Sequence, residues 1–351
     1  MSNQILIRGR RKAVPGGRAS HEMPSGLVLS LPLPWPGMRA LIVTNLYPSE
    51  RHPARGSYVR DQVDALRQLP GLDLDLFTFD SLGPPAYVRA AGAVRRRYRR
   101  TRFDIVHAHF GLNLWPALAA PGSAHGVTLH GTDLAHPRSR AITLAGLPLM
   151  DLVAPVSAEL ERSLPRWSVR GALAVLPCGV DVARFRSIER SEARRRLGLD
   201  EARPYLLFPA NPARAEKRYD RALEVAGETR LLVLNDVDPS EVPLWVNAAN
   251  AVLVTSERES FGLAVLEALA CDVPVLATPV GIAPEVLAGV ASTYCGVFDP
   301  PVWRARLEPL LSDPDPRVVG RAVAERYSAT RMAERVYAEW QSLLSGAERR
   351  D

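Results

Sequence analysis

Two carboxylates stand eight positions apart in segment 255–270, which leaves an apolar run and continues into a run of helix-forming residues. Glu259 and Glu267 would lie about 12 Å apart along a continuous helix, because each helical residue adds about 1.5 Å. The paired acids that cleave one glycosidic bond stand closer, at roughly 5–9.5 Å. The spacing therefore disfavours a hydrolase and suits contacts with the two ends of a long ligand, such as a nucleotide sugar.

Groups suited to a diphosphate accompany these acids. Four residues stand at the predicted start of the helix: Ser260, Phe261, Gly262 and Leu263. Backbone amides at a helix start have no partner within the helix, so they bind anions, and a glycine there lets a phosphate approach closely. Segment 208–219 adds Arg214 and Lys217 after another apolar run. Cations at this place would clamp a diphosphate and stabilise the charge that grows as the glycosidic bond breaks.

The reaction predicted from these groups needs no metal, because a cationic clamp supplies the charge that a metal would bring. We therefore expect no cofactor, with the nucleotide sugar as co-substrate.

Polar residues in the first half of the chain also follow predicted strands. Gly56 precedes a predicted helix and would meet a phosphate or the acceptor there. His130 and Asp133 directly follow the apolar run 126–129. His107 and His109 alternate across a strand, so one imidazole is expected to face a cleft, with a structural role as the open alternative. Ligands of open α/β sheets bind at the carboxyl ends of the strands, where these residues lie.

The elements that position these groups follow an α/β pattern. From residue 39 onward, short apolar runs alternate with amphipathic stretches, which predicts βαβ units and parallel sheets. Predicted strands in the first half are 40–44, 72–79, 105–108, 126–129, 152–156 and 172–176, with helices at 57–69, 86–100 and 112–120. Predicted strands in the second half are 204–209, 231–234, 251–255 and 273–277. The pattern predicts two doubly wound, Rossmann-like domains that face each other across a cleft.

The domain boundaries follow from this pattern and from a length of 351 residues, of which 47% are hydrophobic. Residues 1–37 are rich in Gly, Pro, Arg and Ser and are predicted to be a disordered leader. The remainder divides into an acceptor-side domain (38–176), a nucleotide-sugar-binding domain (177–328) and a terminal helix (329–351) that crosses back to the first domain.

Segment 255–285 resembles family 4 of the retaining GT-B glycosyltransferases. The family is marked by a Glu-x7-Glu element, a small-residue helix and a Pro-Val strand, which are represented here by Glu259, Glu267, Ala268, Pro274-Val275 and Gly281-Ile-Ala-Pro-Glu285. The resemblance extends over 39–340. It implies a GT-B fold and transfer of a sugar, with retention of configuration, from a UDP- or GDP-linked donor to a hydroxyl of a glycan, lipid or small-molecule acceptor.

The resemblance also implies roles for individual residues. Glu259 would contact hydroxyls of the donor sugar, Glu267 the ribose, and His130 the transferred sugar. The catalytic set is then His130, Lys217 and Glu259. The donor-binding set is Gly56, Asp133, Arg214, Ser260, Phe261, Gly262, Leu263 and Glu267. Between Lys217 and Asn247 the chain is shorter than the family pattern, so the second domain is expected to lack one strand–helix unit.

The charge of the chain limits its possible binding partners, and its cysteine content indicates its cellular compartment. The net charge of +6 includes a dense basic run made of Arg95, Arg96, Arg97, Arg99, Arg100 and Arg102. This run predicts peripheral contact with an anionic membrane or an acidic lipid-linked acceptor, with a solvated helix end as the alternative. No aromatic platform accompanies it, so nucleic acid is not expected. Three widely spaced cysteines without a ligand pattern indicate a reducing compartment, hence a cytoplasmic protein, peripheral on the inner face of the membrane.

Two other classes of function stay open from the sequence. A nucleotide-sugar epimerase of GT-B-like fold would use the same donor without an acceptor. A noncatalytic sugar-nucleotide-binding protein would keep the fold and lose its phosphate clamp, and the presence of Lys217 argues against it.

Overall fold

The computed structural model describes residues 4–7, 37–50, 52, 54–80, 83–235 and 237–348. These residues form twelve strands: β1 Gln4–Ile7, β2 Met38–Thr44, β3 Leu72–Thr78, β4 Phe103–His109, β5 Gly122–Leu129, β6 Leu152–Pro155, β7 Ala172–Leu173, β8 Tyr205–Phe208, β9 Arg230–Leu234, β10 Ala251–Val254, β11 Val275–Ala277 and β12 Tyr294–Cys295. The α-helices are α1 Ser57–Leu66, α2 Pro84–Tyr98, α3 Leu114–Ala117, α4 Thr132–Ala135, α5 Pro137–Gly146, α6 Ala158–Arg162, α7 Arg190–Leu197, α8 Tyr219–Ala226, α9 Val242–Ala248, α10 Leu263–Ala270, α11 Ala283–Val286, α12 Pro300–Ser312, α13 Arg321–Glu325 and α14 Ala329–Glu348.

The first sheet has the order β3-β2-β4-β5-β6-β7 and all its strand pairs are parallel. Residues 40–43 of β2 are all fully buried. Because successive side chains point to opposite faces of a strand, Ala40 and Ile42 pack with helices α1 and α14, while Leu41 and Val43 pack with α2 and α3. A strand covered on both faces explains the continuous apolar run in the sequence.

The second sheet has the order β1-β9-β8-β10-β11-β12 and is also parallel throughout. Strand β8 shows the same division between the two faces. Leu206 and Phe208 pack against α8 and α12, whereas Tyr205 and Leu207 join the core beneath α9 and α10. The structure therefore contains two doubly wound α/β domains, as the sequence predicts.

The chain crosses between the two domains twice at neighbouring places. Val180, which follows the first sheet, bridges to Ser328, which precedes α14. A Cβ on Gly179 would lie 2.8 Å from the Cα of Ala329, so only glycine allows the two crossings to approach this closely. Helix α14 then packs on α1 and the first sheet, where Trp340 is fully buried.

Residues 4–7 form strand β1, whereas the sequence predicts that all of residues 1–37 are disordered. Residues 4–7 pair in parallel with β9, with Gln4 opposite Leu231 and Ile7 opposite Leu234. Between Lys217 and Asn247 the structure has α8 and β9 before α9, so the shortened domain leaves an edge of β9 that β1 covers. An uncovered edge would present unpaired N–H and C=O groups. Leader residues 1–3 and 8–36 lie outside the described residues.

One predicted helix of the first domain differs in the structure, and one helix was not predicted. The stretch predicted as helix 112–120 is a 3₁₀ turn at Gly111–Asn113 followed by the four-residue α3. Pro116 lies in α3, and a proline removes one backbone donor from a helix. Helix α5 was not predicted because its apolar residues lack a clear helical period. Over the described ranges, no helix combines the length and hydrophobicity that crossing a bilayer requires.

Candidate functional site

Loops from both domains meet at the carboxyl ends of the two sheets. Gly131, which follows β5, has a φ of +88°, and a Cβ there would lie 2.1 Å from Oγ of Ser260 in the second domain. Beside this contact is a cavity of about 300 Å³. Residues of both domains line it: Gly131, Thr132, Leu134, Ala135, Arg140, Ser157, Glu159, Leu160, Ser163, Arg214, Glu216, Arg258, Glu259 and Ser260. The place is the one that the sheet topology predicts for a ligand.

Glu259 lines this cavity and forms an ion pair with Lys217, which is not one of the lining residues. Lys217 ends a 3₁₀ turn after β8, and Glu259 lies in the loop between β10 and α10. The Nζ atom of Lys217 lies 2.5 Å from Oε1 and 2.7 Å from Oε2 of Glu259, and the two side chains are 14% and 11% exposed. Ser256 donates its hydroxyl to Oε1 at 2.7 Å. An anion that enters here would compete with Glu259 for the ammonium group.

The backbone around Lys217 is held by the neighbouring strand end. The hydroxyl of Thr255 donates to the carbonyl oxygens of Lys217 at 3.1 Å and Arg218 at 2.9 Å. The amide of Glu257 donates to the carbonyl of Glu216 at 2.9 Å. These bonds connect the loops after β8 and β10, so the cation and the acid are positioned by one hydrogen-bonded unit.

Arg214 reaches the same cavity but is more exposed than Lys217. Its Nε atom donates to Glu216 Oε1 at 2.9 Å, and half of its side-chain surface is exposed. Arg214 therefore faces the site with its charge partly compensated by a carboxylate.

The loop before α10 places the predicted phosphate contacts. Gly262 has a φ of +91° and directly precedes α10, whose first residue is Leu263. Phe261 is buried, and its carbonyl accepts from the amide of Ile282 at 2.7 Å. Gly281 has a φ of +58°, and a Cβ there would lie 2.4 Å from the Phe261 carbonyl oxygen. The Gly281 segment of the family motif therefore supports the loop that carries Glu259.

Glu267 does not line the cavity and lies beside a cross-domain ion pair. Asp61 of α1 accepts two hydrogen bonds from Arg184, with Nη1 donating to Oδ1 at 3.1 Å and Nη2 to Oδ2 at 2.5 Å. Burial raises the pKa of Glu267 to about 7, the positive charge of Arg184 lowers it and the negative charge of Asp61 raises it. The two glutamates of the motif therefore differ in their surroundings. Glu259 pairs with Lys217, whereas Glu267 lies beside the Arg184–Asp61 contact between the domains.

Asp133 is fully buried and binds backbone rather than facing the cavity. Its Oδ2 atom accepts from the amides of His130 at 3.1 Å and Gly111 at 3.0 Å. Burial raises the pKa of Asp133, and the backbone hydrogen bonds lower it. Asp133 thus fixes the loop that carries His130, away from direct contact with a ligand in the cavity.

His130 ends a chain of buried histidines. His109 Nδ1 lies 3.1 Å from His130 Nε2, and the two rings stack with centroids 5.3 Å apart. His107 Nε2 lies 2.8 Å from Oγ1 of Thr128, and Trp340 donates its indole N–H to His107 Nδ1 at 3.1 Å. Burial lowers the pKa of His109 to about 3 and the pKa of His107 and His130 well below the usual 6.5. All three rings are therefore neutral at physiological pH.

His107 and His109 correct one expectation from the sequence. Both side chains are fully buried, so neither imidazole faces the cleft. All residues of β4 except Asp104 are buried, so alternation along this strand does not bring either imidazole to the surface of the cleft.

Gly56 is explained by packing at the start of α1. It has a φ of +66°, and a Cβ there would lie 2.3 Å from the carbonyl carbon and oxygen of Leu46. Its carbonyl accepts from the amides of Val59 and Arg60, in the first turn of α1. The glycine allows the loop after β2 to fold against the helix start.

Tyr58 and Arg140 lie near the site and were not identified from the sequence. The Tyr58 ring lies 4.9 Å from the His130 ring, and burial raises the pKa of Tyr58. Ser157 accepts from the amide of Leu160 at 3.2 Å and so caps α6, which brings Glu159 to the cavity. Arg140 comes from the unpredicted α5. Only tertiary packing brings these residues to the site.

Comparison with known proteins gives consistent matches. The family description "Glycosyltransferase Family 4" matches residues 46–184, and "Glycosyl transferases group 1" matches residues 211–319. The chain is 32% identical to a D-inositol 3-phosphate glycosyltransferase of Thermobispora bispora over 292 residues, which are 66% of this chain and 68% of the relative. It is 30% identical to a protein of the same name from Segniliparus rotundus over 303 residues, 70% of this chain and 67% of the relative.

Solved structures match over most of the chain. Sucrose-phosphate synthase from Thermosynechococcus elongatus aligns with a TM-score of 0.67 at 20% identity, covering 88% of this chain and all of that one. HepE from Anabaena in complex with UDP and glucose aligns with a TM-score of 0.65 at 14% identity, covering 87% of this chain and all of that one. At these identities the likeness concerns the fold.

Two parallel α/β domains with polar loops facing each other form a GT-B fold. Within that fold class, the chain belongs to glycosyltransferase family 4 and is a glycosyltransferase.

Proposed function

We propose that this glycosyltransferase moves a sugar from a UDP- or GDP-linked donor to an acceptor hydroxyl with retention of anomeric configuration. The observation that carries the proposal is the Lys217–Glu259 ion pair at a cavity shared by both domains. A partly buried ammonium group there is suited to a diphosphate, and the adjacent carboxylate is suited to sugar hydroxyls.

The proposed reaction uses the donor's own leaving group. The bond between the anomeric carbon and the phosphate oxygen breaks, its electron pair stays on the diphosphate, and Lys217 with the amides at the start of α10 stabilises that charge. The acceptor hydroxyl attacks the anomeric carbon from the same face and passes its proton to the leaving phosphate oxygen. Glu259 and His130 hold the sugar, and Glu267 holds the ribose.

The proposed chemistry needs no metal ion, because Lys217 meets the developing charge directly. We expect excess EDTA to leave the rate of nucleotide release within about twofold of the untreated rate. A collapse of activity with EDTA, followed by recovery with Mg²⁺ or Mn²⁺, would show that a metal supplies the charge instead.

The acceptor is proposed to be a glycan, a lipid-linked molecule or a small molecule, and a phosphorylated polyol is the first to test. The relatives are named D-inositol 3-phosphate glycosyltransferases. In the cavity, Arg140 and Arg258 form no ion pair within the described part of the chain, which suits an anionic acceptor. The proposal is tested by supplying the donor with inositol 3-phosphate and with unphosphorylated inositol.

Product stereochemistry tests retention. Proton NMR of the purified product gives the anomeric configuration through the coupling constant of the anomeric proton. The same configuration as in the donor supports the proposed mechanism, and the opposite configuration contradicts it. A new sugar isomer formed without acceptor would identify an epimerase.

A surface of the first domain supports the proposed cytoplasmic location at a membrane face. Tyr87, Val88, Trp115 and Ile142 line an apolar groove of about 690 Å³, and Val88 is 75% exposed. The last turn of the same helix, α2, is basic through Arg95, Arg96 and Arg97. Apolar side chains beside arginines suit an anionic bilayer surface.

Vesicle binding tests this location. The full chain is expected to sediment with vesicles that contain phosphatidylglycerol and to remain free with phosphatidylcholine vesicles alone. Replacement of Arg95, Arg96 and Arg97 by Glu should abolish sedimentation, whereas the same change at Arg195 and Arg196 on α7 should preserve it. Equal binding by both variants would argue that the α2 end is a solvated helix terminus.

A further inference from the structure

The histidine chain behind the sugar site fixes where its protons lie, beginning at the C-terminal helix. The indole N–H of Trp340 can only donate, so His107 Nδ1 must be the acceptor and carries no proton. His107 is neutral, so its proton is on Nε2 and is donated to Oγ1 of Thr128 at 2.8 Å. The tautomer of His107 is therefore fixed by two partners.

The next pair allows two arrangements, which differ in one buried atom. Between His109 Nδ1 and His130 Nε2, one nitrogen must donate and the other accept. If His130 donated, the proton of His109 would lie on Nε2, which is buried and has no partner among the described residues. Orphaned buried N–H groups are rarer than orphaned acceptors. The favoured arrangement therefore has the proton of His109 on Nδ1, donated to His130 Nε2.

This arrangement determines what His130 offers to a ligand. Its Nε2 atom is occupied as an acceptor, so the proton of the neutral ring lies on Nδ1. His130 keeps 8% of its surface exposed whereas His109 keeps none, and His130 directly precedes Gly131, which lines the cavity. The Tyr58 ring covers His130 at 4.9 Å and the amide of His130 is tied to Asp133, so the imidazole is held on several sides.

We propose that His109 is a positioning residue that fixes His130 as the Nδ1-protonated tautomer, so that His130 presents a hydrogen-bond donor to an oxygen of the bound sugar. The inference rests on the proposed function for the identity of that ligand. In this tautomer, the free edge of His130 has a proton to give and no lone pair to take one, so His130 does not act as the base for the acceptor hydroxyl.

The direct test reads the tautomers in the full-length protein. Histidine is labelled with ¹⁵N, and long-range ¹H–¹⁵N spectra distinguish protonated from bare ring nitrogens. Signals are assigned by their loss in His107→Gln, His109→Asn and His130→Gln variants. We expect protons on His130 Nδ1, His109 Nδ1 and His107 Nε2. A wild-type spectrum with the proton on His130 Nε2 would overturn the proposal.

Two substitutions at His109 separate positioning from general structural support. His109→Leu removes the donor, so His130 should show both tautomers in exchange. His109→Asn returns an amide N–H near the position of Nδ1, so the single tautomer should return. His125→Leu is the matched control, because His125 lies in β5 of the same sheet and its ring contacts the carbonyl of Ala120 and not His130. A single unchanged His130 tautomer in His109→Leu would overturn the proposal.

Steady-state kinetics provide a second readout, with the UDP- or GDP-sugar that supports nucleotide release as the donor and inositol 3-phosphate as the acceptor. His109→Leu should lower kcat/KM for the donor about tenfold, as expected for one misdirected hydrogen bond, and His109→Asn should recover most of the loss. If His109→Leu does not fold, the wild-type spectrum and the Asn variant decide the question. Failure of the proposed function would appear as missing sugar transfer with the predicted tautomers in place, whereas failure of this inference would appear in the spectrum whatever the activity.

Discussion

Lys217 and Glu259 neutralise each other in the free protein, and this contact has a consequence for binding. In the proposed reaction, a donor diphosphate would replace Glu259 as the partner of Lys217, and sugar hydroxyls would replace Lys217 as partners of Glu259. We therefore expect both side chains to keep a charge-assisted partner, so that neither becomes an uncompensated charge in a partly buried site.

Replacement of Lys217 is expected to affect turnover more than affinity. Lys217→Met removes the charge that meets the leaving diphosphate and should lower kcat by about 10²–10³-fold, with a much smaller change in KM. The measurement is steady-state release of nucleotide. Arg218→Ala is the control, because Arg218 pairs with Asp220 and Glu257 and not with Glu259. A kcat near wild type for Lys217→Met would remove Lys217 from the mechanism.

The raised pKa of Glu267 predicts a pH dependence of donor binding. Only the carboxylate form accepts charge-assisted hydrogen bonds from both ribose hydroxyls. With a pKa of about 7, its ionised fraction rises about tenfold between pH 6 and pH 8, so donor affinity should rise by up to about tenfold over this range. Isothermal titration calorimetry with an intact nucleotide sugar measures this, because its diphosphate has no proton to lose there.

Glu267→Gln is the control for the pH dependence of donor binding and for the pH dependence of the free energy of unfolding. The variant should bind the donor weakly and without pH dependence between pH 6 and pH 8. Because the folded-state pKa lies above the usual value near 4.5, the neutral carboxyl stabilises the fold below that value. Relative to Glu267→Gln, the wild-type protein should lose stability as the pH rises from about 4.5 through about 7. The same pH dependence of binding in both proteins would contradict the assignment.

Two catalytic candidates and one donor-binding candidate could be proposed from the sequence because each belongs to a short local motif. Glu259, Glu267 and Lys217 are marked by local sequence alone, and the structure brings Lys217 and Glu259 together across 42 positions. His109 and Tyr58 were not predictable in their contacts with His130, because strand pairing and helix packing create those contacts.

At the scale of elements, the loop after β5 is shaped by its approach to the second domain. A Cβ on Gly131 would lie 2.1 Å from Ser260 Oγ, and the φ of +88° is one that side-chain-bearing residues rarely adopt. Gly131 therefore provides the space that the side chain of Ser260 occupies.

Gly131→Ala should therefore push the two loops apart. We expect a loss of kcat/KM of about 10²-fold, because small misplacements of catalytic loops have effects of that order. Gly198→Ala is a matched control, because Gly198 has a φ of +67° and nothing within 4 Å of its Cβ position. Both variants should lose about 1 kcal/mol of stability from backbone strain, and only Gly131→Ala should lose activity. Equal activity losses would point to strain rather than to the domain contact.

Strand β1 should stabilise the second domain through the backbone of β9. Deletion of residues 1–7 leaves β9 as an edge strand, which should lower Tm by about 2–4 °C and promote self-association of the chain. Differential scanning calorimetry and light scattering at several concentrations measure the two effects. Deletion of residues 1–3 is the control because it leaves β1 intact. Identical behaviour of the two deletions would argue that β1 contributes nothing to the sheet.

The predictable elements were those with a strong local signal. Strands β2, β4, β8 and β10 appear as apolar runs because the sheet buries both of their faces. Strand β1 has four residues and pairs with a strand more than 220 positions away, so no local pattern could indicate its partner. The predicted helix 112–120 is longer than α3 because its apolar residues are buried by contacts with other elements and do not mark one face of a continuous helix.

At the scale of the whole molecule, the two domains are joined by features from several parts of the chain. The crossings meet at Val180 and Ser328, α14 packs on the first domain, and Arg184 pairs with Asp61 beside Glu267. The motif acid Glu267 therefore lies in the electrostatic field of an ion pair that includes α1. If Glu267 binds the ribose as proposed, we expect this ion pair to couple donor binding to the relative position of the two domains, and closure would exclude water during the reaction.

We propose that the cleft between these domains binds and cleaves a nucleotide sugar. The most direct measurement records the rise in Tm of the full chain with UDP-, GDP- and ADP-sugars, and then the release of nucleotide after inositol 3-phosphate is added as the acceptor. We expect one donor to raise Tm and to release nucleotide, and we expect both effects to be lost in Glu267→Ala. Both should persist in Glu228→Ala, because Glu228 precedes β9 at the end of the strand opposite the cleft. No response to any donor, or an undiminished response in Glu267→Ala, would contradict it.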